Sequence, residues 1–587
     1  MISKQLIDPK SIVVVGGSDD IHKPGGTVLR NLQDGNFKGS LYVVNPKMDE
    51  VQGIKAYRDV KDLPEVDCAI LAIAAKFCPS TVEVLAKQKN TKAFIILSAG
   101  FHEENEEGAK LERQIVETIN SVGGSLIGPN CIGVLTNHYS GVFTSPIPEL
   151  NPQGVDLISG SGATALFIMD SGMQKGIKFN SMYSVGNSAQ LGVEEILEYM
   201  DESFDPKTSS RVKLLYVESI EKPEKLLKHA SSLIRKGCRI AAVKSGGSAA
   251  GSRAASSHTG ALASSDVAVE ALFRKAGIVR CNGRDELMTV AGIFMHPEMK
   301  GRNMAVVTHA GGPAVMLTDA LSNGGMDVPH IEGEKAQELL GKLFAGSSVG
   351  NPIDFLATGT AEQLGYILDA CDRDFDNIDG MAVIFGSPGL FPVFDVYNVL
   401  DEKMKTSKKP IFPIFPSSKI VKDEIAEFVS KGRVYFPDEV LFGNALCKIY
   451  KTPAPQPEHF EMPDMDVKKI REVVDNAQNG YLSPDEIHAL LDAAGVARAK
   501  EGVSDNEEEI VKMAKEIGFP LVMKVVGPIH KSDVGGVVLN VSDEETVRRE
   551  FNRMMQIKDT YAIMLAQQLS GTQVFIGAKR DDKFGHM

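Results

Sequence analysis

The sequence predicts a multidomain protein of the α/β class. Short apolar runs alternate with helical stretches along most of the 587 residues, which is typical of parallel sheets covered by helices. At about 100–200 residues per domain, a chain of this length requires several domains. Proline-rich breaks interrupt the alternation at 145–152, 296–303 and 453–463. We therefore expect three α/β units followed by a fourth unit of different texture.

The apolar runs place the elements of each unit. In the first unit, 1–145, strands are predicted at 12–15, 41–44, 68–73, 93–97 and 125–127. In the second, 150–295, they are predicted at 155–158, 181–185, 214–217 and 240–243, and in the third, 300–452, at 304–308, 381–385 and 411–415. A proline-rich linker, 453–466, precedes the fourth unit, 467–587. There we expect helices over 467–477 and from Pro484, a strand over 521–526, a hairpin-like 535–541 and a strand-like 573–578.

The composition argues against several classes of function. A formal net charge of −14 and a pI near 5.5 argue against a general nucleic-acid or membrane-surface binder. The seven cysteines are scattered without a C-x-x-C pair, which fits a reducing compartment and provides no zinc or disulfide framework. The amino terminus has no apolar signal core, and no stretch reaches membrane-spanning length. We expect a soluble cytoplasmic protein that acts on small molecules.

His258 is the most informative residue, because it lies in a run of small residues over 244–260 that offers it little to pack against. A flexible Gly/Ser loop suits a nucleophile that must approach backbone amides and anionic ligands closely. An ordinary surface histidine is the competing interpretation.

A glycine turn follows the first predicted strand. Gly16, Gly17 and Ser18 come between that strand and a helix from Thr27, and such a turn can bind phosphate with free helix amides. The spacing is not G-x-G-x-x-G, and the second strand ends without an acidic residue that could bind a ribose. Lys47 follows that strand instead and would suit a pyrophosphate or a phosphorylated ribose. This favours coenzyme A over NAD, while a plain strand-to-helix turn remains an alternative.

Two further segments predict bare helix amino termini after strands. One contains Ser161 and Gly162, and the other contains Gly311 and Gly312 ahead of Pro313. Each end carries unpaired N–H groups and about half a positive unit charge. Together they suggest a shared anion site, which could hold a phosphorylated imidazole.

Three more side chains are candidates for chemistry. Glu218 follows the apolar strand at 214–217 and could orient a nucleophilic histidine, although a solvated carboxylate is the plainer interpretation. Lys524 lies in an apolar strand, where it would need an anionic partner such as a nucleotide phosphate. His530 lies close to a glycine turn in another domain, and two such histidines fit the relay of a phosphoryl group between distant sites.

These residues together resemble the nucleoside-diphosphate-forming acyl-CoA synthetases, also called ADP-forming acetyl-CoA synthetases, which are relatives of succinyl-CoA synthetase with rearranged domains. The similarity covers essentially the whole chain. The motifs that carry it are Gly-Gly-Ser at 16–18, Asn-Pro-Lys at 45–47, Gly-Pro-Asn-Cys-Ile-Gly at 128–133, Val-Gly-Asn at 185–187, Tyr-Val-Glu at 216–218, Lys-Ser-Gly at 244–246, Ser-His-Thr-Gly at 257–260, Asn-Pro-Ile-Asp at 351–354 and His-Lys-Ser-Asp-Val-Gly-Gly at 530–536.

The resemblance implies a Rossmann-like CoA-binding domain, two flavodoxin-like CoA-ligase domains and the start of an ATP-grasp domain. It implies the reversible reaction of acyl-CoA, ADP and phosphate to an acid, CoA and ATP, with acetyl-CoA as the expected substrate. The intermediates would be an acyl phosphate and a phosphohistidine. The implied roles are CoA binding by the glycine turn, Lys47 and Asn130, phosphoryl transfer by His258, support by Glu218, a second carrier in His530, and nucleotide binding by Lys524, Gln567 and Gln568.

The chain departs from the family pattern at two places. The family usually has Ser-Gln-Ser-Gly where this chain has Ser-Gly-Ser-Gly at 159–162, which removes one side-chain contact and keeps the amides. The acidic residues that bind Mg²⁺ in relatives lie further downstream, so we expect the metal ligands beyond residue 587.

Two other functions are alternatives to the ligase. One is the CoA-ligase-like regulatory half of a protein lysine acetyltransferase. Acetyltransferases of this kind commonly lack the phosphohistidine. The other is a CoA-sensing protein without catalytic activity, which would not need both histidine motifs. For the ligase we expect a homo-oligomer, such as a dimer.

Overall fold

The structure is a computed structural model of the chain, and it describes residues 2–35, 37–259, 265–387, 392–457, 461–528, 531–572, 574–581 and 583–586. The side chains of 255–259 and 586 lie outside this description. The chain forms two compact units, one of Met1–Gln456 with Lys579–Met587 and one of Pro457–Ala578. Among the described residues, no helix is long and apolar enough to cross a bilayer.

The first sheet has seven strands, and the apolar runs that form its centre are buried on both faces. Its strands are β1 Ser11–Val15, β2 Ser40–Val44, β3 Glu50–Val51, β4 Ile54–Tyr57, β5 Cys68–Leu71, β6 Ala93–Ile96 and β7 Ser125–Ile127. Its helices are α1 Lys4–Ile7, α2 Pro24–Asp34, α3 Cys78–Gln88 and α4 Glu106–Ser121. The order is β3-β4-β2-β1-β5-β6-β7, parallel except for the β3–β4 pair. All five strands predicted for this unit are present.

The second sheet also has seven strands. They are β8 Gly133–Leu135, β9 Ser140–Val142, β10 Leu150–Ser159, β11 Phe179–Ser184, β12 Val212–Val217, β13 Arg239–Lys244 and β14 Val279–Cys281. Its helices are α5 Gly162–Gln174, α6 Val193–Glu202, α7 Pro223–Arg235, α8 Ala249–Thr259, α9 Asp266–Ala276 and α10 Arg284–Phe294. The order is β14-β13-β12-β10-β11-β8-β9, in which β8 and β9 pair antiparallel at one edge.

Residues 133–142 depart from the sequence prediction. We expected them within the first α/β unit, and they form β8 and β9 at the edge of the second sheet. Three-residue strands carry too little periodicity to be recognised from sequence. Gly133 makes the close pairing possible, because a Cβ atom there would lie 2.0 Å from the carbonyl oxygen of Gly141.

The third sheet is smaller and fully parallel. Its strands are β15 Met304–Thr308, β16 Ile353–Asp354, β17 Gly380–Ile384 and β18 Ile411–Ile414, in the order β16-β15-β17-β18. Its helices are α11 Gly311–Asn323, α12 Glu334–Leu340, α13 Ala361–Arg373, α14 Phe394–Thr406, α15 Lys422–Ser430 and α16 Glu439–Lys451. The three strands predicted here are present, and only the two-residue β16 was not expected.

The unit Pro457–Ala578 contains an antiparallel sheet. Its strands are β19 Glu501–Ser504, β20 Leu521–Val526, β21 Val537–Val541 and β22 Ala562–Gln567, in the order β19-β22-β20-β21. Its helices are α17 Val467–Asn476, α18 Pro484–Ala493, α19 Glu507–Ile517 and α20 Glu544–Met554. The strand expected at 573–578 is absent from the described residues 574–578. The short pair β23 Arg580–Asp581 and β24 Gly585–His586 belongs to the first compact unit.

The segment predicted as a flexible loop over 244–260 contains helix α8 instead. Alanine is the strongest helix former, and α8 has it at positions 249, 250, 254 and 255. The Ser248 Oγ accepts a hydrogen bond from the backbone N–H of Gly251 at 3.0 Å, as at a helix N-cap. His258 therefore lies in the last turn of a helix, and its side chain is outside the described residues.

Candidate functional site

The carboxyl ends of the first two sheets meet at one cavity of about 600 Å³. In open α/β sheets, ligands bind at this end of the strands. Five strands each contribute a lining residue within three positions of their last residue. These residues are Leu97 after β6, Asn130 after β7, Ser161 after β10, Gly186 after β11 and Glu218 after β12.

Glu218 lies where the strand order of the second sheet reverses. Strand β10 pairs with β11 on one side and with β12 on the other, so the two strands that follow β10 in the chain lie on opposite sides of it. The N–H of Gly160 donates to the carbonyl of Tyr216 at 3.0 Å, and a Cβ atom at Gly160 would lie 3.8 Å from the Glu218 Cγ. The predicted carboxylate and the predicted anion-binding turn are therefore neighbours.

The first predicted helix amino terminus is partly capped. The Ser161 Oγ accepts from the N–H of Thr164 at 3.4 Å, so one amide is satisfied within the turn. Among the described residues we find no acceptor for the N–H groups of Gly162 and Ala163, which line the cavity. Two amides at the positive end of α5 are thus available to an anion.

The second predicted helix amino terminus repeats the geometry of the first. The Thr308 Oγ1 donates to the carbonyl of Ala310 at 2.8 Å, as the Ser159 Oγ does to that of Ser161 at 2.7 Å. A carboxylate oxygen of Asp354 lies 3.8 Å from a Cβ atom built at Gly311. Gly311 and Gly312 are not among the residues that line the cavity described above. This cavity therefore contains the first of the two predicted helix ends and not the second.

Asn130 reaches the cavity through an unusual backbone path. It follows a cis Gly128–Pro129 bond and has φ of +57°. Its Nδ2 donates to the Asn187 Oδ1 at 3.4 Å, which joins the first sheet to the turn after β11. The N–H of Asn187 donates to the carbonyl of Pro129 at 2.9 Å and reinforces this connection.

A histidine that the sequence analysis overlooked lines the same cavity. The His102 Nδ1 lies 2.7 and 2.9 Å from the two carboxylate oxygens of Glu112. The Asn187 Nδ2 donates to Glu103 at 2.5 Å and to Glu112 at 3.2 Å, which ties the group to the second sheet. His102 lies six residues beyond the end of β6, and polar residues after strand ends are the signal that could have found it.

Carboxylates dominate the cavity wall. Four of them line it, namely Glu103, Glu194, Glu218 and Glu221. The Lys583 Nζ contacts Glu221 at 2.8 Å, and this hydrogen bond holds the pKa of Glu221 below its usual range although burial alone would raise it. Burial lowers the pKa of Lys244, while the carboxylates of Asp266 and Glu218 oppose that shift. Cations that could balance a bound anion therefore lie at the edge of the site.

The predicted CoA turn is packed tightly against the first sheet. Gly16 has φ of +88°, and a Cβ atom there would lie 2.5 Å from the carbonyl oxygen of Ala72. A Cβ atom at Gly17 would lie 2.7 Å from the Val43 Cγ1. Both positions therefore require glycine. Ser18 is the last residue of this turn. The turn follows β1, the strand at which the strand order of the first sheet reverses.

Lys47 is exposed beside this turn. Its N–H donates to the Asn45 Oδ1 at 2.9 Å, and the Asn45 Nδ2 donates to the carbonyl of Gly17 at 2.9 Å. One asparagine thus links the lysine backbone to the glycine turn. The turn and Lys47 are not among the residues lining the cavity that contains Glu218.

The predicted nucleotide residues lie on two paired strands of the second compact unit. Lys524 is half-buried on β20 opposite Met564, and Gln567 is exposed at the end of β22 opposite Leu521. The Gln568 amide is engaged with Asn540, since Oε1 accepts from its N–H at 2.7 Å and Nε2 donates to its Oδ1 at 2.6 Å. His530 lies outside the described residues.

One group of described side chains has ligand atoms close enough for a metal ion, namely His102, Glu103 and Glu112. Their ligand atoms lie within 4.8 Å of one another. Mg²⁺ prefers an octahedron of oxygen ligands and water, so a group that includes an imidazole does not fit it. The expected magnesium therefore finds no fitting ligand set among these residues.

Comparisons with known families match three parts of the chain. Residues 10–137 match the CoA binding domain, residues 152–294 the succinyl-CoA ligase like flavodoxin domain, and residues 473–587 the ATP-grasp domain. The first two matches cover the sheets whose strand ends form the cavity.

Several known proteins are similar over most of the chain. It is 32% identical to the acetate–CoA ligase [ADP-forming] I of Archaeoglobus fulgidus, over 100% of this chain and 85% of the relative. It is 29% identical to the 4-hydroxybutyrate–CoA ligase [ADP-forming] of Nitrosopumilus maritimus, over 100% of this chain and 86% of the relative. A solved structure, the dinucleotide forming acetyl-coenzyme A synthetase 1 of Ca. Korarchaeum cryptofilum in complex with phosphate and ADP, superposes with a TM-score of 0.68. It is 26% identical and covers 76% of this chain and 96% of its own.

Proposed function

Since this chain belongs to the family of ADP-forming acetate–CoA ligases, we propose that it interconverts acyl-CoA, ADP and phosphate with an acid, CoA and ATP. One observation carries the proposal, namely that the strand ends bring Glu218 beside the free amides of α5 in one cavity. The segment that carries His258 leaves the sheet at the same place, because Val217 pairs with Lys244 at the end of β13.

The first proposed step is attack of phosphate on the thioester. The N–H groups of Gly162 and Ala163, with the positive end of α5, would hold the phosphate dianion. A phosphate oxygen forms a bond to the acyl carbon, and the bond from that carbon to the CoA sulfur breaks. CoA would be held by the turn at 16–18, Lys47 and Asn130, which stand at the carboxyl end of the first sheet.

The second proposed step moves the phosphoryl group to His258. An imidazole nitrogen forms a bond to phosphorus, the bond to the acyl oxygen breaks, and the acid is released. A carboxylate beside the ring would hold its tautomer and stabilise the positive charge of the phosphohistidine, which is the role we give to Glu218. Gly311 and Gly312 remain our second proposed anion contact, although Asp354 lies near them.

The third proposed step delivers the phosphoryl group to ADP. His530 would act as a second carrier, Lys524 would bind the nucleotide phosphates, and Gln567 and Gln568 would lie on the adenine side. The match of 473–587 to the ATP-grasp domain supports this assignment. Mg²⁺ on the nucleotide would neutralise charge during transfer, and we assign it no ligand in this chain.

Acetyl-CoA is the substrate we propose for the acyl side. The relative from Archaeoglobus fulgidus supports this choice through its name. A relative of similar identity is named for 4-hydroxybutyrate, so the acyl group is a variable part of the proposal. We also propose that the protein is cytoplasmic and forms a homo-oligomer, such as a dimer. The seven free, buried cysteines support a reducing compartment.

The two alternative functions receive less support. Neither the regulatory half of a lysine acetyltransferase nor a CoA sensor would need the nucleotide-binding and second-histidine motifs of the fourth unit. Relatives named as ligases align with 99–100% of the chain, including the region of the ATP-grasp match.

The decisive experiment measures ATP formed from acetyl-CoA, ADP and phosphate, and the phosphoprotein formed from labelled ATP. We expect turnover and an acid-labile, base-stable label in the wild type. His258→Asn should abolish both. Glu218→Gln should lower turnover by about 10²-fold, as expected when charge stabilisation is removed from a phosphoryl-transfer step.

The matched control is His138→Asn. His138 is half-exposed, pairs with Asp8 at 3.2 Å and does not line the cavity, so its substitution should leave the label intact. Retention of both turnover and label in His258→Asn would contradict the mechanism. No ATP from any of a panel of acyl-CoA esters would contradict the function.

A further inference from the structure

His102 forms a carboxylate–histidine pair on the cavity wall. Glu112, on α4, holds Nδ1 through two contacts of 2.7 and 2.9 Å. Asn187 fixes this carboxylate in turn, since its Nδ2 donates to both Glu112 and Glu103. This arrangement fixes the orientation of the ring and places the exchangeable proton of the neutral imidazole.

The other ring nitrogen is the one available for chemistry. Among the described residues we find no hydrogen bond to the His102 Nε2, and the side chain is 31% exposed and lines the cavity. In a pair of this type, the carboxylate holds Nδ1–H while Nε2 exchanges protons with the reacting group. Glu112 therefore leaves Nε2 as the acid or base.

His102 lies on the wall of the cavity that the first sheet forms. His102 and Asn130 come from the first sheet, which matches the CoA binding domain, whereas Gly162 and Glu218 come from the second. A thioester that reaches from bound CoA toward the amides of α5 must cross between these two walls. The sulfur is the last CoA atom before the acyl carbon, so it would lie on the first-sheet side.

We propose that His102 is the general acid that protonates the CoA sulfur when phosphate cleaves the thioester, and that Glu112 is its positioning residue. The inference rests on the proposed function and deepens it. When the phosphate oxygen bonds to the acyl carbon, the sulfur leaves with the electron pair of the C–S bond. The imidazolium Nε2–H gives its proton to the sulfur, and CoA thiol and neutral His102 result.

The proton balance closes within one turnover. Monohydrogen phosphate brings one hydrogen, which the acyl phosphate then loses to the neutral imidazole directly or through water. In the reverse direction, neutral His102 takes the thiol proton while the sulfur attacks the acyl phosphate. A thiol has an ordinary pKa near 8.5, so proton transfer assists both directions near neutral pH.

The charges around His102 support its role as an acid. The hydrogen bond that Nδ1–H donates to the Glu112 carboxylate raises the pKa of His102 above its ordinary value, although burial alone would lower it, and so favours the protonated ring. Hydrogen bonds from Asn187 and Gly100 lower the pKa of Glu103 although burial alone would raise it. The titratable groups that face the ring or share its cavity are Glu112 on α4, Glu103 on its own turn, and Glu194, Glu218 and Glu221 on the opposite wall.

Arsenolysis isolates this step from the rest of the reaction. Arsenate replaces phosphate, the acyl arsenate hydrolyses, and the thiol of released CoA is measured without nucleotide or phosphohistidine. We expect His102→Gln to slow CoA release from acetyl-CoA by about 10²-fold, the usual size of a general acid effect. His138→Gln is the matched control and should keep the wild-type rate.

The pH profile separates catalysis from a structural role. The wild-type rate should fall as the pH rises through the pKa of His102, and this inflection should vanish in His102→Gln. Glu112→Gln should move it to lower pH, because the hydrogen bond that raises the pKa is lost. In His102→Gly, added imidazole should restore CoA release, which keeps the test valid if the glutamine variant folds poorly.

Two outcomes would overturn the inference. The first is that the wild type releases CoA and His102→Gln keeps both the wild-type rate of release and the inflection of the pH profile. This result refutes the role of His102 and does not affect the proposed function. A wild type that releases no CoA from any of a panel of acyl-CoA esters refutes the proposed function, and the role of His102 falls with it.

Discussion

Gly160 and Glu218 face each other across the point where the second sheet reverses its strand order. A Cβ atom at Gly160 would lie 3.8 Å from the Glu218 Cγ, an ordinary van der Waals distance, and Gly160 has no positive φ. The glycine therefore leaves an open position beside a carboxylate and two free helix amides. The family pattern that the sequence resembles has glutamine here, so a glutamine variant tests whether this position contributes to the proposed anion site.

Gly160→Gln should strengthen phosphate binding. The new amide can donate to the anion beside the N–H groups of Gly162 and Ala163. A hydrogen bond to a charged group contributes about 1.5–3 kcal/mol net, and ordering the glutamine side chain offsets part of this. We expect the KM for phosphate to fall by about three- to tenfold with little change in unfolding temperature. Initial rates of ATP formation at varied phosphate concentration measure it.

Two variants at the same position provide controls. Gly160→Ala adds only the Cβ atom, for which there is space, and should leave the KM for phosphate unchanged. Gly160→Glu adds a second carboxylate beside Glu218, which repels the anion, and should raise the KM for phosphate. An unchanged KM in all three variants would show that this position does not contact the phosphate.

The buried pair Lys213–Asp156 should be sensitive to the loss of one partner. The two side chains are 2% and 4% exposed and lie 2.5 Å apart, and Asp156 also accepts from Ser181 at 2.6 Å. Lys213→Met removes the cation and leaves a buried carboxylate. We expect a loss of about 3–5 kcal/mol in the free energy of unfolding, measured by denaturant unfolding.

A double variant and a surface pair test the reason for that loss. Lys213→Met combined with Asp156→Asn removes both charges and should recover part of the stability. Lys10→Met breaks the exposed pair with Asp8 and should cost at most about 1 kcal/mol. Equal losses from Lys213→Met and Lys10→Met would show that burial of the pair has no energetic consequence.

His296 should make the protein less stable in mild acid. Burial lowers its pKa from 6.5 to about 4, among Phe412 and Phe436, whose ring centroids lie 5.1 and 5.6 Å away. The unfolded chain therefore binds a proton between pH 6.5 and 4 while the folded chain does not. Stability is full above pH 6.5 and decreases as the pH falls toward 4, by about 2 kcal/mol at pH 5.

His296→Phe isolates this contribution because it keeps an aromatic ring and removes the titrating nitrogen. Denaturant unfolding at pH 7.5 and 5.0 should show a decrease that is smaller by about 2 kcal/mol in the variant than in the wild type. The variant also loses the hydrogen bond from the ring to the carbonyl of Gly292, so only the difference between the two pH values is informative. Parallel pH dependence in both proteins would refute the assignment to His296.

The central strands could be predicted because their signal is local. Runs such as 12–15 and 214–217 are buried on both faces of parallel sheets, so they are apolar throughout and recognisable in isolation. The short strands β8, β9 and β16 could not be predicted, because their stability comes from pairing with distant strands. The helix α8 was missed because its serines and glycines suggested a loop, whereas its alanines and the Ser248 cap favour a helix.

The amino-acid sequence by itself determined the α/β class, the order of the units and the motifs that indicate the family. These are properties of neighbouring residues, which periodicity and spacing express directly. The tertiary structure alone decided that Asn130, Ser161 and Glu218 share one cavity and that Gly311 and Gly312 are not on its wall. It alone paired His102 with Glu112, ten positions apart, and bonded Glu112 to Asn187, which follows a strand of the second sheet. Such contacts depend on how the carboxyl ends of two sheets pack together. The pattern of neighbouring residues does not contain this information, because the contacting residues are distant in the sequence.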